Sequence, residues 1–246
     1  MKNEMNTHEN LSHEDTVRLL MDFFHRTMMH HAMWYAEVER QMGREKAQET
    51  LKMAYEKSSA IQLKRLAKTL GFEMKEGLPV PFLALPRETL NKLKESAAAN
   101  WLANDGVWFQ AIESSKGMTE AKKCNDACWG NFSPFEAWSI KQFLNLPGQP
   151  GLAGLKKALG FRLYAAINKQ STIDETPTSF VFRMNDCRVQ SARKRKGLAD
   201  YPCKSAGIVE YSTFATAIDA RIKTRCLSCP PDEHPEAYYC SWLFSL

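Results

Sequence analysis

The sequence predicts an α+β fold: a duplicated helical-hairpin N-terminal part, then a C-terminal antiparallel sheet with helices and a four-cysteine zinc site. Three observations carry this. Apolar residues recur at spacings of three and four as far as residue 145, the signature of amphipathic helices. Past Asn145–Gly151, which holds Pro147, Gly148 and Pro150, the pattern turns to alternation, so the boundary separates a duplicated α-helical part, 1–150, from an α+β module, 151–246. Four of the seven cysteines, Cys203, Cys226, Cys229 and Cys240, fall in the last 44 residues.

The cysteine spacing carries chemistry. Cys226-Leu227-Ser228-Cys229, followed by Pro230-Pro231, is a CxxC knuckle that spans one edge of a tetrahedral ion, and two more sulfurs complete a shell for Zn²⁺. Four thiolates leave no open coordination position, so the zinc is expected to be structural. Buried, unligated thiols are the alternative. A redox CxxC is disfavoured because no βαβ pattern precedes it.

Composition narrows the class. A hydrophobic fraction of 44% and a charged fraction of 25% over 246 residues are those of a globular chain with ample core. Residues 1–10 are polar, read as frayed, and contain no signal-peptide core; no apolar run approaches the roughly twenty residues that cross a bilayer. No membrane association and a cytoplasmic location are expected, where reduced, clustered thiols favour metal over disulfide. The net charge of +5 is uneven: residues 1–150 carry 19 cations and 19 anions, and residues 151–246 carry 14 and 9. A zinc ion held by four thiolates would form a doubly negative centre, and Lys204, Lys223 and Arg225 would balance it.

In order along the chain, Ser12 with Asp15 caps a helix that runs through Phe23, His30, His31 and Trp34 to Gly43. A second runs from Arg44 to Leu70 and stops at Gly71; Pro86 opens a third through Leu90 and Leu93. After a short helix ending at Gly160, strands are expected at Phe161–Ile167, Ser179–Met184, Arg221–Arg225 and Tyr239–Phe244. Helices are expected from an Asp186 cap to Gly197 and over Ser205–Ile218.

An internal repeat underlies the helical half. Trp34-Tyr35, Val38-Glu39, Gly43 and Ala47 match Trp108-Phe109, Ile112-Glu113, Gly117 and Ala121 at a constant offset of 74, and Tyr55 falls on Trp129. Two aromatic helices packed about a pseudo-twofold would line a shared cavity, with His31, Trp34, Asp105 and Trp108 as ligand-binding candidates.

The cysteine pattern resembles the four-vinyl-reductase type small-molecule-binding domain of chlorophyll-pathway proteins and of the sensor modules of phenol-responsive activators. There, zinc is held by a Cys, an acidic residue twenty-two residues on, a second Cys, and a third in a final aromatic strand. Cys203, Cys229 and Cys240 fall on the three cysteine positions and Cys226 on the acidic one; the longer last gap leaves His234 as a substitute ligand. The wider chain is similar to an uncharacterised bacterial family of cytosolic proteins. The resemblance lies in Trp101–Phe109, Lys123-Cys124-Asn125-Asp126, Phe182–Gln190 and Pro202–Ser205. A more distant likeness is to the aminothiazoline-carboxylate hydrolase family, from which no catalytic residue carries over.

The resemblance implies a small organic ligand, flat or acidic, in a cavity between aromatic helices and sheet, with a protein partner or a homodimer to pass on any signal. The competing reading is a hydrolase or lyase in which Cys187, flanked by Arg183 and Arg188, is activated by their charge. A nucleic-acid-binding adaptor built on Arg193-Lys194-Arg195-Lys196 is third, because those cations also suit a helix C-terminus. Cys124 and Cys128, at i and i+4, read as small core residues. No phosphate loop, GxSxG elbow or HExxH helix is present.

Overall fold

A computed structural model describes residues 11–246; the expectation for residues 1–10 lies outside the described residues. The chain divides into two compact units, one ending at Gly77 and the other spanning Leu78–Leu246.

The first unit is a hairpin of α1 (His13–Met42) and α2 (Arg44–Leu70). Ser12 caps α1 by accepting the Asp15 N–H at 3.0 Å. Gly43 sits between the helices at φ 83° and ψ 165°, a region open to glycine alone, so the turn can be this tight. Gly71 ends α2 in the left-handed conformation. The hairpin has little interior: α1 buries no residue, and α2 buries Ala47 and Ala67. The two-residue strands β1 (Met74–Lys75) and β2 (Leu78–Pro79) follow.

The second unit opens with a short α3 (Val80–Leu83) and a hairpin of α4 (Arg87–Lys116) and α5 (Met118–Leu144). Every bound of α4 and α5 lies 74 residues after that of α1 and α2. The turn glycine recurs as Gly117 at φ 86°, and the left-handed cap recurs as Asn145 at φ 49°. Unlike α2, α5 is covered: Trp129, Ser133, Glu136, Ala137 and Ile140 are buried, and α5 packs along α8.

The remainder is α6 (Gly151–Leu159), α7 (Arg188–Arg195), α8 (Lys204–Ile218) and a four-stranded antiparallel sheet. Its strands are β3 (Lys169–Thr176), β4 (Ser179–Asp186), β5 (Lys223–Ser228) and β6 (Cys240–Ser245), ordered β3-β4-β6-β5. Alternation puts Phe180, Phe182 and Met184 of β4 and Cys240, Trp242 and Phe244 of β6 in the core, against Tyr211, Phe214 and Ile218 of α8. The fold is therefore α+β. Asn145–Gly151 lies inside the second unit: Lys141 Nζ donates to the Ile218 carbonyl, and the Gly151 N–H donates to Asp219.

One expected element differs and one strand is added. Phe161–Ile167 is a turn with 3₁₀ geometry at Leu163–Ala166, because Glu136 takes the Arg162 guanidinium and the Leu163 N–H that a strand partner would need. One edge of the sheet is β5, as expected, and the other is β3, whose Lys169-Gln170-Ser171-Thr172 start is polar on both faces, as an outer strand allows. Among the described residues, no helix is long and apolar enough to cross a membrane.

Candidate functional site

Small residues make room where α8 meets the sheet. Gly207 presses on Trp242, where an added Cβ would lie 2.8 Å from Cζ2. Beyond that contact, α4 and α5 stand off and leave a cavity of about 370 Å³ within the second unit. Phe109 of α4, Trp129 of α5, Tyr164, Tyr211 of α8 and Trp242 of β6 supply aromatic walls. Trp129 and Tyr164 stack at 5.7 Å, and Tyr211 lies 4.7 Å from Trp242. A hollow of this size and lining suits a small organic molecule.

Both signs of charge line the cavity: Asp105, Glu113 and Glu210 on one side of the balance, Arg193 and Lys196 on the other. Arg162, buried beneath it, donates from Nε to Glu136 at 2.8 Å and from Nη1 to Glu210 at 2.6 Å. The Arg162 guanidinium also lies 4.6 Å from the Phe214 ring. Two carboxylates share one cation, and burial, opposed by Arg162, raises the Glu210 carboxyl to about 7. Asp105 on α4 also faces the cavity and is raised by burial; its Oδ1 accepts from Asn125 Nδ2 at 3.3 Å.

Sulfur gathers at the sheet end of the same cavity. Cys203 is the residue before α8, Cys226 lies on β5, Cys229 follows it, and Cys240 opens β6. Cys226 pairs with Trp242 across the ladder, so it shares a face with Cys240, two residues away on β6. The Cys203 and Cys229 sulfurs are 3.5 Å apart. Their hydrogen bond lowers the Cys203 thiol and, with a second from Cys240, raises that of Cys229; burial raises Cys226 to about 11. For a tetrahedral ion at Zn–S distances of about 2.3 Å, neighbouring sulfurs stand about 3.8 Å apart, so the Cys203–Cys229 edge is of the right length. Among the described residues, no three His, Cys, Asp or Glu side chains form a group that could hold a metal ion.

His234 is occupied elsewhere: Nε2 lies 2.8 Å from Asp200, and Nδ1 2.9 Å from the Pro235 carbonyl. Cys187 lines the cavity, where burial pushes its thiol up to about 12, and the opposing influence comes from the backbone at Gln190 and Val189. Neither flanking arginine acts on it: Arg183 lies over the Tyr238 ring at 4.5 Å, and Arg188 is exposed at the start of α7. Of the four ligand candidates, Asp105 lines the cavity, whereas Trp108 is 58% exposed and Phe109 takes the lining position. His31 and Trp34 lie in the first unit, in a groove of about 320 Å³ between α1 and α2. Cys124 and Cys128 are exposed rather than core.

Glu136, Arg162 and Glu210 escape sequence reasoning because 26 and 48 residues separate Arg162 from its partners. The available signal was a lone cation in the apolar run Phe161-Arg162-Leu163-Tyr164.

Fold and site together define an α+β protein with an aromatic cavity, lined by charged side chains of both signs, beside a group of cysteines. The chain belongs to a family of unknown function (DUF6125), matched over residues 8–87 and 83–246. No curated protein matches it. Among solved structures it is similar to the phenol-responsive sensory domain of the transcription activator PoxR with phenol, at 14% identity and a TM-score of 0.39, covering 77% of this chain and 89% of that one.

Proposed function

We propose that the protein binds a small organic molecule in the cavity of its second unit. The observation that carries this is the cavity itself: about 370 Å³, walled by aromatic rings, with acidic, basic and amide side chains among them to orient a ligand. A structural Zn²⁺ held by Cys203, Cys226, Cys229 and Cys240 closes the sheet end, supported by the 3.5 Å sulfur edge and by the resemblance of their spacing to the four-vinyl-reductase type domain. The two hairpins are copies of one ancestral unit, a reading supported by their shared bounds and by the family matches, which begin 75 residues apart. Ligand occupancy would be passed to a protein partner or a second copy of the chain. The hydrolase or lyase reading loses its support, because the Cys187 thiol is held protonated by burial.

The test uses Gly106, which lines the cavity and whose added Cβ would meet nothing within 4 Å. Gly106→Leu should fill the hollow without disturbing α4, because leucine favours helix over glycine. Saturation-transfer NMR of the full chain against small aromatic fragments should give binders that Gly106→Leu loses. Absence of binders, or binders indifferent to the substitution, overturns the reading.

A further inference from the structure

Three residues that line the cavity carry a buried polar atom without a partner: Trp242 on β6, Asn168 just before β3, and Tyr201 between α7 and α8. The atoms are Trp242 Nε1, Asn168 Nδ2 and the Tyr201 hydroxyl, and among the described residues none of them makes a hydrogen bond. An indole N–H and an amide NH₂ can only donate, and a phenol hydroxyl donates as readily as it accepts. Their side chains are held in place. Asn168 Oδ1 accepts the Arg188 N–H at 2.8 Å, which fixes Nδ2 as the open end of that amide. Gln190 grips Tyr201 through both backbone groups at 2.8 Å, and the Tyr201 ring meets Phe109 edge-on at 5.3 Å. Trp242 is sealed from solvent and packs on Tyr211. Unsatisfied buried donors are costly, so the wall is set for acceptors that its own side chains do not bring to these atoms.

Charge argues for a neutral molecule. The lining sets Asp105, Glu113 and Glu210 against Arg193 and Lys196, and Arg162 beneath it is shared by Glu136 and Glu210, with Nη2 left unpaired. Lys196 is exposed, and Arg193 Nε donates to the Ala199 carbonyl at 2.6 Å. Burial raises the carboxyls of Asp105 and Glu210, the latter to about 7, so the interior disfavours negative charge even on its own side chains. A carboxylate ligand would add to that charge. An ammonium or amidinium would bring more donors to a wall whose own donors are unpaired.

We infer that the cavity takes a flat, uncharged aromatic carbonyl compound, a ketone, quinone or aryl amide, whose oxygens accept from Trp242, Asn168 and Tyr201. This rests on the cavity-binding reading above. Of the flat or acidic molecule that the resemblance implies, it keeps the flatness and replaces the acid by a carbonyl. A hydrocarbon of the same shape would leave the donors unpaired, and a site built to hydrogen-bond its ligand discriminates against such an analogue.

Four probes of nearly one shape separate the cases: acetophenone, isopropenylbenzene, benzoate and benzamidine, each titrated against the full chain by saturation-transfer NMR. Acetophenone should bind at least about tenfold more tightly than isopropenylbenzene, with benzoate and benzamidine both weaker than acetophenone. Tyr201→Phe keeps the backbone bonds to Gln190 and should lower the acetophenone-to-isopropenylbenzene ratio by about threefold or more. Trp242→Phe should do the same, with circular dichroism as the check on folding; Tyr201→Phe alone suffices if Trp242→Phe fails to fold. Equal binding of acetophenone and isopropenylbenzene, tighter binding of either charged probe, or a ratio unchanged in Tyr201→Phe overturns the inference and leaves the cavity reading intact. So does failure of all four probes while other fragments bind and are lost in Gly106→Leu. Failure of every fragment overturns both.

Discussion

Arg162 Nη1 lies 2.6 Å from Glu210 Oε1, with both side chains all but sealed from solvent. The contact ties α8 to the loop before the sheet, and Glu136 of α5 grips the same guanidinium from the other side. Removing the cation strands two carboxylates. Arg162→Ala should therefore cost about 3–5 kcal/mol, measured by urea unfolding. A cost below about 1 kcal/mol would show that water reaches the cluster.

Burial of the same Glu210 carboxyl, only partly opposed by Arg162, sets a pH dependence. Glu210 sits at about 7 in the folded chain against 4.5 as a free side chain, so the folded state holds its proton more firmly. Its contribution to stability is complete below pH 4.5 and is lost as pH rises towards and through 7, on the order of 3 kcal/mol in total. Stability profiles of wild type and Glu210→Gln should diverge over that interval, with the variant flatter. Parallel profiles would place the Glu210 proton elsewhere.

For the zinc proposal, the expected result is one equivalent of metal in protein purified under reducing conditions, read by elemental analysis. Cys229→Ser should abolish it, because the Cys229 sulfur lies between those of Cys203 and Cys240. Cys187→Ser and Cys124→Ser should keep it. Full metal content in Cys229→Ser would dissolve the proposed shell.

Gly207 reports on the packing that frames the cavity. A methyl group there would meet the buried Trp242 ring at 2.8 Å. Gly207→Ala should cost about 1–3 kcal/mol in thermal or chemical unfolding. An unchanged midpoint would mean that the ring rotates into the hollow.

The first hairpin and helix α8 should differ in protection. Helix α1 buries nothing, whereas α8 buries seven residues. Amide exchange should be faster in α1 than in α8 by several orders of magnitude, because opening α1 breaks little packing. Equal protection would require a partner over the first hairpin.

Much of this was legible because it depends on local chemistry. Ser12, Gly43 and Gly71 mark helix ends through backbone geometry that few residues allow, and they stand where expected. Cys240, Trp242 and Phe244 share a buried face because a strand alternates by two. What was not legible is non-local. Phe161–Ile167 has the apolar content of a strand, yet the partner deciding its conformation is Glu136, on another element. Polar β3 shows no alternation, since it is recruited by β4 and not by its own pattern. Trp108 and Phe109 are adjacent aromatics, and which one faces inward depends on how α4 is rotated against α5 and α8, a fact of packing.

Gly43 and Gly117 hold nearly the same torsions, while the flanks of their hairpins have parted company: Trp129 is 4% exposed and its counterpart Tyr55 is 47% exposed. On the proposed duplication, each copy keeps the torsions its joint demands, whatever its flanks have come to pack against. Kinship among such hairpins is therefore written in hinge glycines and the small residue four positions on, and a comparison keyed to greasy positions will overlook the older or the younger twin.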